Sequence, residues 1–158
     1  MKAKILAAAM ATSCSTLVVA DQAVPYPDGY RDWHHVKSMI IEEGHPLYGA
    51  FGGIHHIYAN DEALEGYRSE RFPDGSVIIF DLLESVQTDN TVAEGQRKVL
   101  GVMQKDARAY ATTGGWGFEG FAGGDRAKRV VGGDAVTACF ACHQPQEHQD
   151  FTFSRLRD

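Results

Sequence analysis

Hydrophobic and polar residues recur with two different periods in the first half of this chain, and these periods predict its first elements. In residues 30–44 (YRDWHHVKSMIIEEG), apolar side chains follow Trp33 at i+3, i+6 and i+7, which predicts an amphipathic helix ending at Gly44. Residues 45–53 (HPLYGAFGG) contain a proline and several glycines and are predicted to form a loop. The stretch IHHIYAN then predicts a strand, and DEALEGY predicts a short helix capped by Asn60 or Asp61.

The second half of the chain predicts an antiparallel sheet followed by one more helix. After the turn FPDGS, the β-branched run VIIFDLLESV predicts a strand, RKVLGVMQKD its antiparallel neighbour, and QTDNTVAEG the connection between them. DARAYATTGG predicts a short helix, WGFEGF a further strand, DAVTACFACHQ the last helix and DFTFSRL an extended tail. The fold class predicted is α+β, a single domain rich in antiparallel sheet.

The N-terminus predicts export. Residues 1–20 begin with Lys2 and Lys4, continue with small and apolar residues and end in VVA, which is typical of a signal peptide cut before Asp21. The apolar run is too short for a spanning helix, which needs about 20 apolar residues. We therefore expect a signal peptide over 1–20, a mature domain over 21–158, a periplasmic location and no membrane span.

The formal net charge of −6 argues against nucleic acid as a partner. Removing the signal leaves two cysteines, Cys139 and Cys142, directly followed by His143. In an oxidising compartment such a pair is expected to form a disulfide or to be used in chemistry.

The C-x-x-C-H spacing has three chemical interpretations. A structural zinc site needs four ligands, and the pairs His34-His35 and His55-His56 lack the spacing of a second ligand pair. A thioredoxin-type dithiol belongs near the start of a βαβ unit, whereas this pair lies near the end of the chain. Haem attachment fits best, because sulfurs at i and i+3 on a helical turn reach one side and the next histidine can bind the iron. One covalently attached haem c, with His143 as axial iron ligand, is the prediction.

The second axial position decides between an electron carrier and a ligand-binding protein. Met103 is the one methionine predicted to lie on a strand, and we expect it to be a core residue. Of His55 and His56, only one can face a haem, since adjacent strand residues point to opposite faces. We expect a buried, hydrogen-bonded imidazole beside an exposed one. Glu94 and Arg97 are expected on a solvated strand.

The segments YGAFGGIHHIYAN, FPDGSVIIFDLLE, DARAYATTGGWGFEGF and CFACHQPQ…DFTFSRLR resemble the cytochrome P-460 family, including its cytochrome c′-beta members, over roughly Tyr26 to Arg157. The resemblance implies a β-rich homodimer with a five-coordinate haem c and an open distal pocket. Members called cytochrome P-460 carry a lysine–haem cross-link and oxidise hydroxylamine. Cytochromes c′-beta lack the cross-link, cap the pocket with phenylalanines and bind nitric oxide.

The residues favour the c′-beta branch. The stretch EGYRSERFPDG, where the cross-linking lysine is expected, contains Arg68 and Arg71 but no lysine. The phenylalanines that match the distal cap are Phe51 and Phe80, and Arg71 is expected to pair with a haem propionate. Binding of nitric oxide or a similar small diatomic gas is thus the leading function. Hydroxylamine oxidation and electron transfer with a periplasmic redox partner are the alternatives, and whether the chain is an enzyme stays open.

Overall fold

The computed structural model describes residues 22–157, which form an α+β domain around one five-stranded antiparallel sheet. The strands lie side by side in chain order, so each pairs with its neighbours in sequence. They are β1 (His34–Ile41), β2 (Gly53–Ala59), β3 (Val77–Thr88), β4 (Thr91–Lys105) and β5 (Trp116–Ala122). Segment 1–20, with its predicted export signal, lies outside the described residues.

The prediction of a helix over residues 30–44 was wrong. A short 3₁₀ turn spans Tyr30–Asp32, and the chain then enters β1, which pairs with β2 along the sheet edge. A register shift between His35 and Lys37 marks a bulge that interrupts the strict alternation of apolar residues. This bulge gave the segment an apparent helical period.

The longest strands, β3 and β4, form a tight hairpin. Asp89 and Asn90 at its tip both have positive φ (49° and 62°), the conformation of two-residue hairpin turns. The predicted connection QTDNTVAEG is therefore mostly strand, and only its Asp-Asn pair is turn. Asp and Asn tolerate this backbone region better than most residues, so the Asp-Asn pair is typical of such a turn.

Helices are few and short. Helix α1 (Tyr48–Phe51) lies inside the segment predicted to be a loop, so that prediction was incomplete. Helix α2 (Asp61–Ser69) is confirmed, and Asn60 caps it by accepting a hydrogen bond from the Ala63 N–H at 3.0 Å. The predicted helix in DARAYATTGG is only a 3₁₀ turn, Ala111–Thr113.

The last predicted helix is confirmed in place but is irregular. A π-helical turn (Val136–Phe140) leads into α3 (Ala141–His143), and a 3₁₀ stretch (Gln144–Gln149) follows. None of the helices formed by residues 22–157 is long and apolar enough to cross a membrane.

The sheet has an apolar cluster on each side. On the front face, α2 and the π-helical turn cover a cluster that includes Ile57, Ile78, Trp116 and Phe118. On the back face, the segment before β1 covers a second cluster: Val24, Tyr30, Ile79, Leu100, Val102, Tyr110 and Phe121. The Cys-x-x-Cys-His segment thus reaches the front face.

Candidate functional site

The two cysteines lie on the π-helical turn and α3. Cys139 is half-buried and packs against the front-face cluster, while Cys142 is exposed, and both thiols are free. Burial raises the pKa of Cys139 to about 11, and the charges of Glu119 and Asp134 act in the same direction. A redox dithiol relies on a lowered thiol pKa, so this environment does not favour the dithiol interpretation.

A hydrogen bond orients the His143 imidazole in the neutral form that binds metals. Its Nδ1 lies 2.8 Å from the carbonyl oxygen of Phe151, which can only accept, so Nδ1 carries the proton and donates. Nε2 is then left with a lone pair, as in histidines that bind metals. Burial lowers the pKa of His143, and the hydrogen bond to Phe151 opposes this in part. The imidazole also packs against the rings of Phe118 (5.0 Å) and Phe153 (4.9 Å).

A buried ion pair holds the turn that supplies the acceptor for His143. Lys105 Nζ lies 2.7 Å from Asp150 Oδ1, with both residues less than one-tenth exposed. Asp150 also accepts from the N–H of Phe72 (2.8 Å) through Oδ2, and from Trp116 Nε1 (2.9 Å) through its backbone carbonyl. Asp150 and Phe151 both have positive φ, 49° and 64°, an unusual conformation for two consecutive residues that are not glycine.

Front-face side chains form rows across the strands, because directly paired residues share a face. The Phe118 row contains Ala59, Ile78, Met103 and Phe118; the Phe80 row contains Ile57, Phe80, Gly101 and Gly120; the His55 row contains His55, Leu82, Val99 and Ala122. Neighbouring rows are two residues, about 7 Å, apart along the strands. His143 contacts the Phe118 row, so the Phe80 row and then the His55 row lie progressively further from it.

Phe51 and Phe80 form a ring pair at the second row. Their centroids are 5.7 Å apart in an edge-to-face arrangement, with Phe51 at the end of α1 and 39% exposed. Lys98 Nζ donates to the Gly52 carbonyl at 2.6 Å and holds the end of α1 against the sheet. Gly53 has φ 129°, and a Cβ there would lie 2.1 Å from the Leu83 carbonyl oxygen, so the turn from α1 into β2 requires glycine.

The two adjacent histidines of β2 point to opposite faces, as expected, but with unexpected partners. His55 is buried on the front face, and its Nδ1 has no hydrogen-bond partner. His56 lies on the back face, where Nε2 donates to Glu94 Oε1 (2.6 Å) and Nδ1 shares a hydrogen bond with Ser38 Oγ (2.6 Å). The buried imidazole is therefore the unpaired one, contrary to the prediction.

The methionines occupy different rows. Met103 lies in the Phe118 row, at the level of His143, and packs against the front-face cluster as predicted. Met39, which lies in the segment that was predicted to be a helix, is the β1 partner of His55 and is 52% exposed.

The charged candidates divide between surface and structural roles. Arg71 is exposed and directly precedes Phe72, whose N–H bonds to Asp150. Glu94 binds His56, whereas Arg97 is largely buried and makes two hydrogen bonds, at 2.5 and 3.1 Å, to the buried Asp81 on the back face. Arg97 is a structural residue and not a solvated one as predicted.

The chemistry of these residues fits a haem. Two free thiols at i and i+3 and an imidazole with a free Nε2 match the attachment and axial groups. Large apolar side chains on the π-helical turn, beside His143, in the Phe51–Phe80 pair and over Gly120 are exposed, as expected of a surface that a porphyrin covers. These are Phe51, Val130, Val136 and Phe153. Within residues 22–157, no three His, Cys, Asp or Glu side chains are grouped to hold a bare metal ion.

Sequence reasoning missed the supports of His143. Lys105, Asp150 and the Phe151 carbonyl come together across 45 residues of chain, and no local pattern marks them. The residues that it did find are each marked within one short segment of the sequence.

The fold and the motif together define an α+β domain that carries a C-x-x-C-H segment on one face of an antiparallel sheet. The model of the family described as Cytochrome P460 matches residues 27–154, and the chain belongs to that family. Membership implies a haem cofactor. No curated protein matches the chain.

Proposed function

We propose that this chain is a periplasmic mono-haem c protein that binds nitric oxide or a similar small diatomic gas. Cys139 and Cys142 would form the two thioethers, and Nε2 of His143 would bind the iron. The bound haem supplies an iron that can hold a small ligand opposite His143. The protein would hold the imidazole of His143 in place. It would also keep side-chain ligands and water away from the other side of the iron.

The main observation that supports this proposal is the Phe51–Phe80 ring pair. The pair lies one row beyond the Phe118 row that touches His143. We expect a small ligand of the iron to approach from that side. Two aromatic rings there exclude water and offer no strong hydrogen bond, which suits nitric oxide better than dioxygen.

The position of Met103 supports a five-coordinate iron. A second axial ligand must come from the side opposite His143, whereas Met103 lies in the row that His143 contacts. Met39 lies in the His55 row and is the methionine that an electron carrier would have to use.

The c′-beta branch is favoured because the segment where the cross-linking lysine is expected contains arginines and no lysine. Arg68 donates to Glu65 Oε1 at 2.6 Å at the end of α2, and Arg71 is exposed beyond it. A guanidinium stays protonated and is a poor nucleophile. Arg71 remains our candidate partner for a haem propionate.

We also propose a homodimer. Exposed apolar side chains of β1 and of the β3–β4 hairpin line one surface pocket, which a second copy could cover: Met39, Ile40 and Val92. Light scattering coupled to size exclusion measures the mass directly, and a monomer at micromolar concentration would contradict this part of the proposal.

The ferrous absorption spectrum tests the function. Protein from a haem-c-maturing host should show an ordinary high-spin haem c, bind nitric oxide and have the intact mass of the mature chain plus one haem. A red-shifted Soret band, together with an intact mass lower than this sum by the hydrogens lost in a further bond, would show the lysine cross-link and favour hydroxylamine oxidation. A low-spin spectrum would favour electron transfer.

A variant at the ring pair makes the test specific. Phe51→Ala should speed ligand entry and admit dioxygen. Leu47→Ala changes an apolar residue four positions earlier that is somewhat more exposed (49% against 39%), and it should change neither property. Equal ligand kinetics in Phe51→Ala and wild type would show that the Phe51–Phe80 pair does not cap the ligand site, and this would contradict the proposal. Cell fractionation, with the mature N-terminus read near Asp21, tests the location.

A further inference from the structure

Two imidazole nitrogens converge on one hydroxyl group on the back face of the sheet. Ser38 Oγ lies 2.6 Å from Nδ1 of His56 and 2.9 Å from Nε2 of His35. A hydroxyl has a single proton, so it donates to one of these nitrogens and accepts from the other. A metal ion in the same place would instead be bound by the lone pairs of both nitrogens.

A β-bulge brings the two histidines to the same face. Ser38 pairs directly with His56 across β1 and β2, and His35 pairs with Tyr58. In a regular strand His35 and Ser38, three positions apart, would point to opposite faces. The register shift between His35 and Lys37 interrupts this alternation, so both side chains lie on the back face with His56. Bulges re-aim side chains in this way beside functional sites.

Glu94 fixes the tautomer of His56 that a metal ion requires. Its Oε1 accepts from Nε2 of His56 at 2.6 Å, so the lone pair of the neutral ring is on Nδ1, towards Ser38. Histidines that bind metals usually donate their other N–H to a carboxylate or a carbonyl. Both imidazoles also pack near the Tyr58 ring, with centroid distances of 5.5 Å for His35 and 6.4 Å for His56. The two rings are therefore oriented before any ion binds.

The distances and the charges fit an ion that prefers imidazole. Zinc–nitrogen bonds are about 2.0–2.1 Å long, so an ion near the hydroxyl position requires each ring to move by less than about 1 Å. Imidazole suits zinc, copper and nickel, whereas magnesium and calcium prefer oxygen ligands. The carboxylate of Glu94 favours a cation, and the charge of Arg157, which acts on His35, opposes it in part.

We propose that Nε2 of His35 and Nδ1 of His56 bind a divalent transition-metal ion of the zinc and copper class beside Ser38. Two imidazoles leave further positions on the ion open, and water or the Ser38 hydroxyl fills them. Residues 22–157 contain no group of three His, Cys, Asp or Glu side chains that would close such a site, so the ion stays accessible to solvent.

The site is separate from the haem-binding residues. It lies on the back face, whereas the Cys-x-x-Cys-His segment reaches the front face of the sheet. Ser38, His56 and Glu94 line the pocket that we propose a second copy covers, so the bound ion lies at that surface. The inference goes beyond the proposed function and does not depend on it.

Isothermal titration calorimetry of the haem-loaded protein with Zn²⁺, and separately with Cu²⁺, tests the site. Wild type should bind either ion, and Mg²⁺ should not bind there. His35→Ala and His56→Ala should each lower the affinity at least about tenfold, and Glu94→Gln, which keeps an acceptor but loses the charge, should lower it by roughly tenfold.

The neighbouring histidine provides a matched control. His34 is exposed and pairs with Ala59, so its side chain points to the front face, away from Ser38. His34→Ala removes one surface imidazole from the same strand and should leave the affinity unchanged. A second measurement needs no variant, because the electron paramagnetic resonance of bound Cu²⁺ in wild type should show coupling to two imidazole nitrogens.

Several results would refute the site. These are a wild type that binds neither ion, His35→Ala and His56→Ala proteins that bind as tightly as wild type, and an equal loss of affinity in His34→Ala. Coupling of Cu²⁺ to fewer than two imidazole nitrogens would refute it as well. None of these results bears on nitric oxide binding, which the ferrous spectrum tests separately.

Discussion

Replacing Asp150 with asparagine should greatly destabilise the fold, although the two side chains have nearly the same shape. Asparagine keeps the shape, accepts from the Phe72 N–H and tolerates the positive φ of 49°, but it removes the charge that faces Lys105 at 2.7 Å. The Lys105 ammonium would then be left buried beside the Trp116 ring, with only the Gly114 carbonyl at 3.1 Å as a hydrogen-bond acceptor. Breaking a buried ion pair from one side costs about 3–5 kcal/mol.

Urea unfolding followed by circular dichroism measures this cost. With a dependence of about 2 kcal/mol per molar urea, the midpoint should fall by roughly 2 M. The double variant Lys105→Met with Asp150→Asn should recover much of the loss, because no unpaired charge remains. Asp28→Asn is the matched control, since Asp28 pairs with Arg126 at the surface (side chains 72% and 64% exposed), where a pair contributes about 0–1 kcal/mol.

The comparison has a clear refutation. If Asp150→Asn shifts the midpoint no more than Asp28→Asn, the ion pair does not hold the turn that bears the acceptor for His143. If the double variant is no more stable than Asp150→Asn alone, an unpaired buried charge is not the cause of the loss.

The remaining predictions concern acid stability, axial ligation and one turn. Because His55 has a folded pKa of about 4 against an ordinary 6.5, the unfolded chain takes up its proton first, so stability is complete above pH 6.5 and falls towards pH 4. The loss is up to roughly 3 kcal/mol, and urea midpoints at several pH values should show that His55→Leu flattens this slope. Met39→Leu and Met103→Leu should each leave the ferrous spectrum high-spin, and a spectrum that is low-spin in wild type but high-spin in either variant would identify an axial methionine. Gly53→Ala should lower stability by more than about 1 kcal/mol, whereas Gly133→Ala, where an added Cβ meets nothing within 4 Å, should unfold at nearly the wild-type urea concentration.

Local signals in the sequence predicted those parts of the molecule that local interactions form. The β-branched runs identified β3 and the core of β4, and Asn60 was correctly expected at the start of α2. β1 was missed because HHVKSMII, with a bulge after His35, fits a helical period as well as a strand period. Only pairing with β2 decides between the two, and such pairing is a tertiary effect.

The candidate site shows the same division. Cys139, Cys142 and His143 are neighbours in sequence, so their spacing was visible at once. Lys105 and Asp150, which hold the acceptor of His143, meet only in the folded chain. Nor can the sequence say which of two adjacent histidines faces the site, because that depends on the register of β2.

The register of β2 is itself fixed at both ends of the strand. A shift of one residue would exchange His55 for His56 and place every front-face side chain of β2 on the back. At the first end, Gly53 packs so closely against Leu83 that no side chain fits. At the other end, Asn60 accepts from the N–H groups of Ala63 and Val77 and donates to the Gly75 carbonyl at 2.9 Å. These two fixed points place His55, with its unpaired Nδ1, on the front face behind Phe80, and His56 on the back, where Ser38 and Glu94 bond both of its ring nitrogens. The register of the β2 backbone therefore decides which of the two histidines finds partners.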